Sequence, residues 1–234
     1  MIAKDISREL GLSEDTIRRD LRELAAEGKL QRVHGGALPS SPAVGDFAFR
    51  LQVATDEKKA IGRAAAAMVQ TGQVVILDGG TTAVQIARHF APELRATVVT
   101  HSPSIAVELV SHRNIEVILI GGRLFKHSIV SVGAPAIEAI ARIHADTYFM
   151  GVTGIHPKAG LTTGDFEEAA VKKALSASAA ETIVLASPEK LNAVSPYTVC
   201  ALADITGMIV AAGTKKSALA PYLRERITII KAKG

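Results

Sequence analysis

One short run of the chain combines the residue types that bind anions. It reads Val74-Val-Ile-Leu-Asp-Gly-Gly-Thr-Thr82, an apolar stretch that ends in an acid, two glycines and two hydroxyls. Gly79 and Gly80 allow the backbone to approach a ligand closely, while Thr81 and Thr82 lie beside the free N–H groups of a helix start. A helix start of this kind can bind an anion such as phosphate through its free N–H groups. The alternative is a tight turn without a ligand.

The segments around this run alternate between apolar strands and helices. Val74 to Leu77 carry no charge and are mostly β-branched, as in a parallel strand that is covered on both faces. Further strands, with polar or glycine-rich ends, are predicted at 97–101, 115–120, 146–154, 182–186, 208–212 and 227–230. The alternation predicts an α/β fold, a mostly parallel sheet with helices on both faces. Because ligands bind outside the carboxyl ends of such strands, the glycine-rich ends are expected to converge.

Composition limits the classes of protein to which the chain can belong. With 234 residues, 48% of them hydrophobic, it is long enough for a full α/β core and a small additional domain. No apolar run is long enough to cross a bilayer and the N-terminus is polar, so we expect a cytoplasmic protein without membrane contact. The single cysteine and the spacing of the seven histidines predict neither a metal site nor a cofactor. The net charge of +4 is only weak evidence that the protein binds nucleic acid.

The first 36 residues have the pattern of two short helices followed by a strand. One helix, with Ile6 and Leu10, ends at Gly11, and Ser13 is placed to cap a second helix that runs to about Glu27. In the second helix Ile17, Leu21 and Leu24 form a buried stripe, which turns three arginines outward. A strand over 29–36 then leads into a glycine turn.

This pattern is typical of a winged helix-turn-helix, whose second helix enters the major groove of DNA while the wing contacts its backbone. The residues predicted to contact DNA are Ser13, Thr16, Arg18, Arg19, Arg22, Arg32 and His34. The alternative is an ordinary amphipathic helix with a solvated charged face, because residues 1–36 contain as many acids as bases.

Two motifs in this region resemble the DNA-binding signature of the DeoR family of bacterial transcriptional regulators. They are Leu12-Ser-Glu-Asp-Thr-Ile-Arg-Arg-Asp-Leu-Arg-Glu-Leu24 and Arg32-Val-His-Gly-Gly-Ala37. The resemblance implies that the first motif is the recognition helix and that the second closes the wing. Family members carry another helix before the point where this chain begins, so we expect an N-terminally incomplete module in which Met1 lies inside the domain.

The remainder of the chain resembles the effector domain of the same family, which is similar in fold to ribose-5-phosphate isomerase and glucosamine-6-phosphate deaminase. By that resemblance Gly80, Thr81 and Thr82 hold the phosphate of a sugar, Lys190 reaches it as a point charge, and Asp78 and Glu168 bind sugar hydroxyls. The full set of predicted effector-binding residues is Asp78, Gly79, Gly80, Thr81, Thr82, His101, Ser102, Gly121, Gly122, Arg123, Gly151, Gly154, Glu168, Lys172 and Lys190.

Several of these residues also have structural interpretations. Asp165 with Glu168 is a good helix start, Glu168 with Lys172 is an ordinary i, i+4 ion pair, and Arg123 can be merely solvated. The resulting domain prediction is a winged helix-turn-helix over 1–37, a linker over 38–55 that is rich in proline, serine and glycine, and an effector domain over 56–234.

The chain departs from the family pattern at three places around the predicted pocket. His101 replaces a usual Asn, Ser187-Pro-Glu-Lys190 replaces Asp-Ser-Ser-Lys, and Ala212-Gly213 replaces Thr-Asp. The second departure removes a carboxylate that would bind hydroxyls or orient Lys190. The retained glycines and Lys190 still indicate a phosphorylated metabolite.

Two functions from different classes share these features. The first is a DNA-binding transcriptional regulator, a repressor of carbohydrate metabolism genes that a phosphorylated sugar releases from its double-stranded operator, acting as a homodimer or homotetramer. The second is a sugar-phosphate isomerase in which Asp78 or Glu168 moves a proton. An enzyme has no need for three outward arginines and a basic wing, so the sequence favours the regulator.

Overall fold

The helices and strands follow the predicted alternation. A computed structural model describes residues 2–33, 35–39, 43, 45–225 and 227–233. Its α-helices are α1 (Ala3–Leu10), α2 (Glu14–Ala26), α3 (Phe47–Arg50), α4 (Thr55–Ala66), α5 (Thr81–Arg88), α6 (Pro103–Leu109), α7 (Ala134–Ile140), α8 (Phe166–Ala177) and α9 (Lys216–Leu223). The strands are β1 (Leu30–Val33), β2 (Gly36–Pro39), β3 (Val74–Leu77), β4 (Ala96–Thr100), β5 (Ile115–Leu119), β6 (Arg123–Phe125), β7 (Val130–Val132), β8 (Ala145–Met150), β9 (Gly154–His156), β10 (Gly160–Thr163), β11 (Ala179–Ala186), β12 (Tyr197–Cys200), β13 (Gly207–Val210) and β14 (Thr228–Lys231).

The N-terminal module consists of α1, α2 and the antiparallel hairpin of β1 and β2. Gly11 ends α1 in the left-handed conformation, and the Oγ of Ser13 caps α2 by accepting the N–H of Thr16 at 3.1 Å. Ile17 and Leu21 are buried, as their spacing predicts. Leu24 is 36% exposed, which corrects its assignment to the buried stripe, because the neighbouring Ala25 packs against the small core in its place.

The segment predicted as a linker contains secondary structure. The boundary predicted after residue 37 falls inside β2, which continues to Pro39. Residues 47–50 form α3, which is capped by Asp46, whose Oδ1 accepts the N–H of Phe49 at 2.8 Å. The backbone N–H of Phe47 donates to the carbonyl oxygen of His127 at 3.0 Å. The end of this segment is therefore attached to the second domain.

The second domain is built on a parallel sheet of seven strands in the order β14-β13-β11-β8-β3-β4-β5. Side chains alternate between its two faces, so Val75 and Leu77 join one buried cluster with α4, α5 and α6, while Ile76 joins the other with α7, α8 and α9. The predicted α/β fold with helices on both faces is confirmed. Because β3 is flanked by β8 and β4, the residues that follow it lie at the centre of the sheet edge.

Two smaller sheets lie beside the carboxyl ends of the main strands. One is the hairpin of β6 and β7, and the other is an antiparallel sheet in the order β12-β10-β9. These sheets, together with α3 and the start of α5, supply residues to a cavity at the carboxyl edge of the main sheet.

Candidate functional site

The outward face of α2 presents the predicted arginines. Arg18, Arg19 and Arg22 are all exposed, and so is Arg32 on β1. Arg18 pairs with Glu14 at 3.1 Å, and the Nε–H of Arg22 donates to the carbonyl oxygen of Arg18 at 3.2 Å. Exposed pairs of this kind contribute little to stability, so the guanidinium groups can exchange these partners for phosphate or base atoms.

The other predicted DNA contacts have mixed placements. Ser13 and Thr16 lie at the start of α2, where their hydroxyls share a hydrogen bond of 2.9 Å while Ser13 caps the helix. His34 lies outside the described residues, so its predicted contact with DNA stays a sequence prediction. The β1–β2 hairpin that carries Arg32 has the form expected of a wing.

The turn between β3 and α5 has the backbone that its glycines require. Gly80 is the N-cap of α5 with a φ of +118°, a conformation that other residues rarely adopt. Gly79 is constrained by space instead, because an added Cβ would lie 2.1 Å from Cγ1 of Val130. After this turn the first N–H groups of α5 have no acceptor within the helix, and Gly79 to Thr82 all line the cavity.

Three cationic side chains face this helix start from other parts of the chain. Arg50 lies on α3, Lys58 on α4 and Lys190 in a 3₁₀ turn, Pro188–Lys190, that follows β11. Lys58 and Lys190 are 4% and 6% exposed. Their ammonium groups donate to backbone carbonyls, Lys58 to Arg50 at 2.6 Å and Lys190 to Leu185 at 3.1 Å.

The cavity carries an excess of positive charge among its described lining residues. Arg50, Lys58, Lys172 and Lys190 are positive and Glu168 and Glu189 are negative, so these lining residues have a net formal charge of +2, although Lys172 also pairs with Asp78 behind the lining. Burial, together with the nearby Lys58, Arg50 and Lys172, lowers the pKa of Lys190 to about 8. Burial likewise lowers the pKa values of Arg50 and Lys58. An anion in the cavity would stabilise the charged forms of all three side chains.

Asp78 lies directly behind the residues that line the cavity and is fully buried. Its Oδ1 accepts from the N–H of Gly79 and from Nε2 of His101, both at 2.8 Å. Its Oδ2 accepts from Nζ of Lys172 at 2.6 Å and from the N–H of Gly151 at 2.7 Å. Although burial alone would raise the pKa of Asp78, Lys172 and His101 hold it well below the usual carboxyl value. These donors occupy the carboxylate, so it orders the glycine turn.

The sequence left two interpretations of Glu168 open, a structural role at the start of α8 and a place in the binding site. Glu168 occupies both positions, because it lies at the start of α8 and also lines the cavity. Asp165 caps α8 by accepting the N–H of Glu168 at 2.9 Å, and Glu168 pairs with Lys172 at 3.2 Å. The other oxygen of Glu168 accepts the hydroxyl of Thr163 at 3.0 Å. Contact with Asp78 and Glu168 raises the pKa of Lys172 even though burial opposes this shift. Glu168 and Lys172 therefore form a fixed ion pair in the cavity wall.

A second chamber of about 230 Å³ adjoins the charged cavity. The two chambers share Ala43, Arg50, Thr153 and Glu168. The second chamber is otherwise lined by Phe125, His127, Ser128 and Gly164, and the rings of Phe125 and His127 lie 5.8 Å apart. The site thus joins a cationic end to a less charged end that has an aromatic wall.

The structure brings part of the predicted effector set into this cavity. The lining includes Gly79, Gly80, Thr81, Thr82, Gly151, Glu168, Lys172 and Lys190. Outside both described linings lie Asp78, His101, Ser102, Gly121, Gly122, Arg123 and Gly154. Direct contact of this second group with an effector is therefore not supported by the geometry.

All of these residues except Gly121 have contacts or close neighbours that account for their placement. The hydroxyl of Ser102 donates to the carbonyl oxygen of Ile129 at 3.1 Å, and Arg123 is exposed and pairs with Glu167. A Cβ on Gly122 would lie 2.8 Å from the carbonyl oxygen of Val132, and one on Gly154 would lie 2.6 Å from that of Ala193. His101 is fully buried behind Asp78. His101, Gly122 and Gly154 therefore serve the packing around the site.

Sequence reasoning missed Arg50, Lys58, Thr153, Thr163 and Glu189 as lining residues. Arg50 fell in the predicted linker, and nothing in the sequence joins it to the strand ends. Lys58 did carry a signal, because it precedes Ile61 and Ala65 at the spacing of the buried stripe of α4. A lysine in an apolar stripe is a candidate for a buried functional charge.

None of the described helices is long and apolar enough to cross a membrane. The described part of the chain also contains no group of three or more histidine, cysteine, aspartate or glutamate side chains that could hold a metal ion.

Family models match both parts of the chain. Residues 53–212 match the DeoR C terminal sensor domain, and residues 2–42 match the DeoR-like helix-turn-helix domain. The sensor match begins inside the segment that was predicted as a linker.

Curated relatives with the same organisation align over most of the chain. The HTH-type transcriptional regulator GolR of Listeria innocua is 33% identical over 88% of this chain and 82% of its own length. The HTH-type transcriptional repressor GlcR of Bacillus subtilis is 35% identical over 86% and 78%, and the HTH-type transcriptional regulator GlpR of Haloferax volcanii is 36% identical over 81% and 74%.

Solved structures with a similar fold are more distant. Ribose 5-phosphate isomerase A from Methanocaldococcus jannaschii aligns over 58% of this chain and 53% of its own, with 18% identity and a TM-score of 0.43. The translation initiation factor eIF-2B of Pyrococcus horikoshii aligns over 69% and 64%, with 15% identity and a TM-score of 0.47. Similarity of fold at this level does not transfer an activity.

Proposed function

We propose that a phosphorylated sugar controls this DNA-binding transcriptional regulator, which belongs to the DeoR family. The sugar phosphate binds the cavity of the sensor domain and thereby releases the protein from its operator. The chain is a regulator and not an enzyme. We further propose that it represses genes of carbohydrate metabolism and acts in the cytoplasm, where its DNA partner is. Of the relatives described above, GlcR is a transcriptional repressor and GlpR is a transcriptional regulator.

The observation that carries the proposal is the charge of the cavity. A phosphate monoester carries a charge of about −1.5 to −2 at neutral pH, which is opposite in sign to the net formal charge of +2 on the described lining residues. The N–H groups at the start of α5 supply further donors. In this arrangement the phosphate lies between Gly80–Thr82 and the side chains of Arg50, Lys58 and Lys190.

The adjoining chamber supports a sugar as the remainder of the ligand. It opens directly from the charged end, and its wall combines the ring of Phe125 with polar groups of Ser128 and Glu168. An apolar ring against one face and hydroxyl partners at the edge suit a polyhydroxylated ligand. The chamber therefore accommodates the carbon chain of the effector while its phosphate occupies the cationic end.

The same geometry argues against the isomerase alternative. A general base must be able to accept a proton from the substrate, yet all four donors around Asp78 and the low pKa of its carboxyl disfavour this role. Glu168 is likewise engaged by Lys172 and Thr163. We expect no isomerisation of ribose 5-phosphate by the purified protein.

Calorimetric titration of the full chain with a panel of sugar phosphates and the matching unphosphorylated sugars tests the proposal. We expect binding only by phosphorylated members, and the member that binds should also release the chain from the promoter beside its gene in a gel-shift assay. Equal binding of a sugar and its phosphate, or no binding by any phosphorylated member, would refute the proposal.

We also propose that the chain acts as a homodimer or homotetramer. Operators of helix-turn-helix proteins are commonly read by paired modules about one turn of DNA apart. Sedimentation of the protein with and without a promoter fragment tests this, and a strictly monomeric complex with DNA would contradict it.

A further inference from the structure

We propose that Arg50 and Lys58 bind the anionic group of the effector, and that through them the effector acts directly on the segment that joins the DNA-binding module to the sensor domain. This inference deepens the proposed function and depends on it only in requiring an anion in the cavity. No comparison assigns a role to either residue.

Arg50 and Lys58 lie where the DNA-binding module is joined to the sensor domain. Arg50 is the last residue of α3, which lies between the wing strand β2 and the first helix of the sensor domain, α4. Both chambers of the cavity are lined by Arg50, and the charged chamber also by Lys58. A ligand in the cavity therefore touches the connecting segment itself as well as the sheet.

Side chains that line the cavity help to attach α3 to the sensor domain. Its polar contacts to that domain include the bond from the N–H of Phe47 to His127 at 3.0 Å, one from Arg50 to the hydroxyl of Ser128 at 3.3 Å, and one from Lys58 to the carbonyl of Arg50 at 2.6 Å. Two of these three contacts use the side chains that face the cavity. An anion that binds Arg50 and Lys58 must therefore alter the attachment of α3.

Charges of both signs act on Arg50 and its neighbours. Burial lowers the pKa values of Lys58 and Lys190 most, Glu189 opposes this shift, and repulsion from Arg50 lowers both values further. Arg50 on α3 is also attracted by Glu168 and Asp78, so without an anion this attraction is opposed by the repulsion from Lys58 and Lys190. An anion between the three groups removes the repulsion, so the expected effect of binding is a more firmly held α3.

The experiment uses the full chain and inorganic phosphate as the probe, with chloride at equal ionic strength as the reference. Hydrogen–deuterium exchange should slow in peptides that cover residues 46–58 when phosphate is added, while peptides from α9 remain unchanged. In calorimetric titrations, Arg50→Gln and Lys58→Gln should each weaken phosphate binding at least about tenfold. Arg50→Lys, which keeps the charge, should recover part of the loss.

Matched controls keep the charge change but lie outside the described cavity linings. Arg95→Gln and Lys59→Gln alter exposed side chains, the second of them next to Lys58 on the same helix. Both controls should bind phosphate within about twofold of the unmodified chain. Circular dichroism of every variant before titration separates a lost site from a lost fold.

A further variant separates binding from transmission. Asp46→Ala removes the cap of α3 without touching either described lining, so phosphate should still bind while its protection of residues 46–58 becomes weaker. If Arg50→Gln and Lys58→Gln bind phosphate as the unmodified chain does, or if phosphate leaves exchange at 46–58 unchanged, the inference is wrong while the proposed function stands. If the unmodified chain binds no phosphate or sugar phosphate, the proposed function fails as well.

Discussion

Nε2 of His101 lies 2.8 Å from Oδ1 of Asp78 in the fully buried layer behind the turn between β3 and α5. The other ring nitrogen of His101, Nδ1, lies 2.9 Å from the carbonyl oxygen of Ser131. Both ring nitrogens of His101 therefore have a hydrogen-bond partner from another part of the chain. Asp78 thereby joins His101 and the cationic Lys172, and this buried cluster fixes the turn that presents Gly79 and Gly80 to the cavity.

Asp78→Ala is expected to lower the free energy of unfolding by about 3–5 kcal/mol, because it leaves Lys172 and His101 buried without their common partner. Urea denaturation measures the change. The control is Asp56→Ala, whose side chain is 97% exposed and lies 3.9 Å from Lys59, and which should alter the free energy by no more than about 0.5 kcal/mol. Similar urea midpoints for the two variants would show that the buried cluster does not stabilise the fold.

Gly80→Val should abolish binding of the phosphorylated effector while leaving the sheet folded. A Cβ at Gly80 meets open space, so the change acts through the φ of +118°, which valine adopts only at a cost of about 1–3 kcal/mol. The turn is expected to rearrange and to withdraw the N–H groups of α5. Gly72→Val is the matched control, since Gly72 has a φ of +92° and open space but precedes β3. Unchanged binding by the Gly80 variant would contradict the proposal that this turn binds the phosphate.

Affinity for the effector should depend on pH through Lys190. Because the pKa of Lys190 is lowered to about 8, its ammonium loses its proton as the pH rises through that value, and the phosphate then loses a cationic partner. Between pH 7.5 and pH 9 the dissociation constant should rise roughly tenfold in titrations with the sugar phosphate that binds. Lys190→Met should bind more weakly at pH 7.5 and show no such rise.

The same shift predicts the sign of a stability change. Between a pH of about 8 and the ordinary lysine value of about 10.4, the unfolded chain holds a proton on Lys190 that the folded chain has released, so stability should rise with pH in this interval. Lys190→Met should remove this contribution. A variant with the same pH profile as the unmodified chain would show that Lys190 titrates normally in the folded protein.

Arg19→Ala should weaken operator binding, because the Arg19 side chain is 67% exposed on the outward face of α2. The loss is expected to be about 1–3 kcal/mol if the guanidinium reads a base, and the slope of affinity against salt should fall by about one if it contacts a phosphate. Gel-shift titrations at several salt concentrations distinguish these cases. Arg95→Ala, an exposed arginine of the sensor domain, should change neither quantity.

Local sequence was sufficient for the elements and for the fold class. Strands such as β3 are short, uncharged and followed at once by turn residues, and helix ends carry their own signals, as Gly11 and Ser13 do at α1 and α2. These features depend on backbone conformation and on spacing within a few residues. The turn that we propose to bind phosphate could be identified as a cavity-lining segment for the same reason, because Gly79, Gly80, Thr81 and Thr82 are consecutive.

Tertiary structure decided which charges share the cavity. Arg50 and Lys190 are far apart in sequence, and only the packing of α3 beside the carboxyl edge of the sheet brings both to the start of α5. The tertiary structure also buried His101 and Asp78 behind the cavity lining. There their hydrogen-bonding groups are occupied by partners at the end of β8, on α8 and in the β6–β7 hairpin. A sequence specifies which groups can ionise, but their burial and their neighbours depend on contacts between distant segments, and those contacts determine which charges meet a ligand.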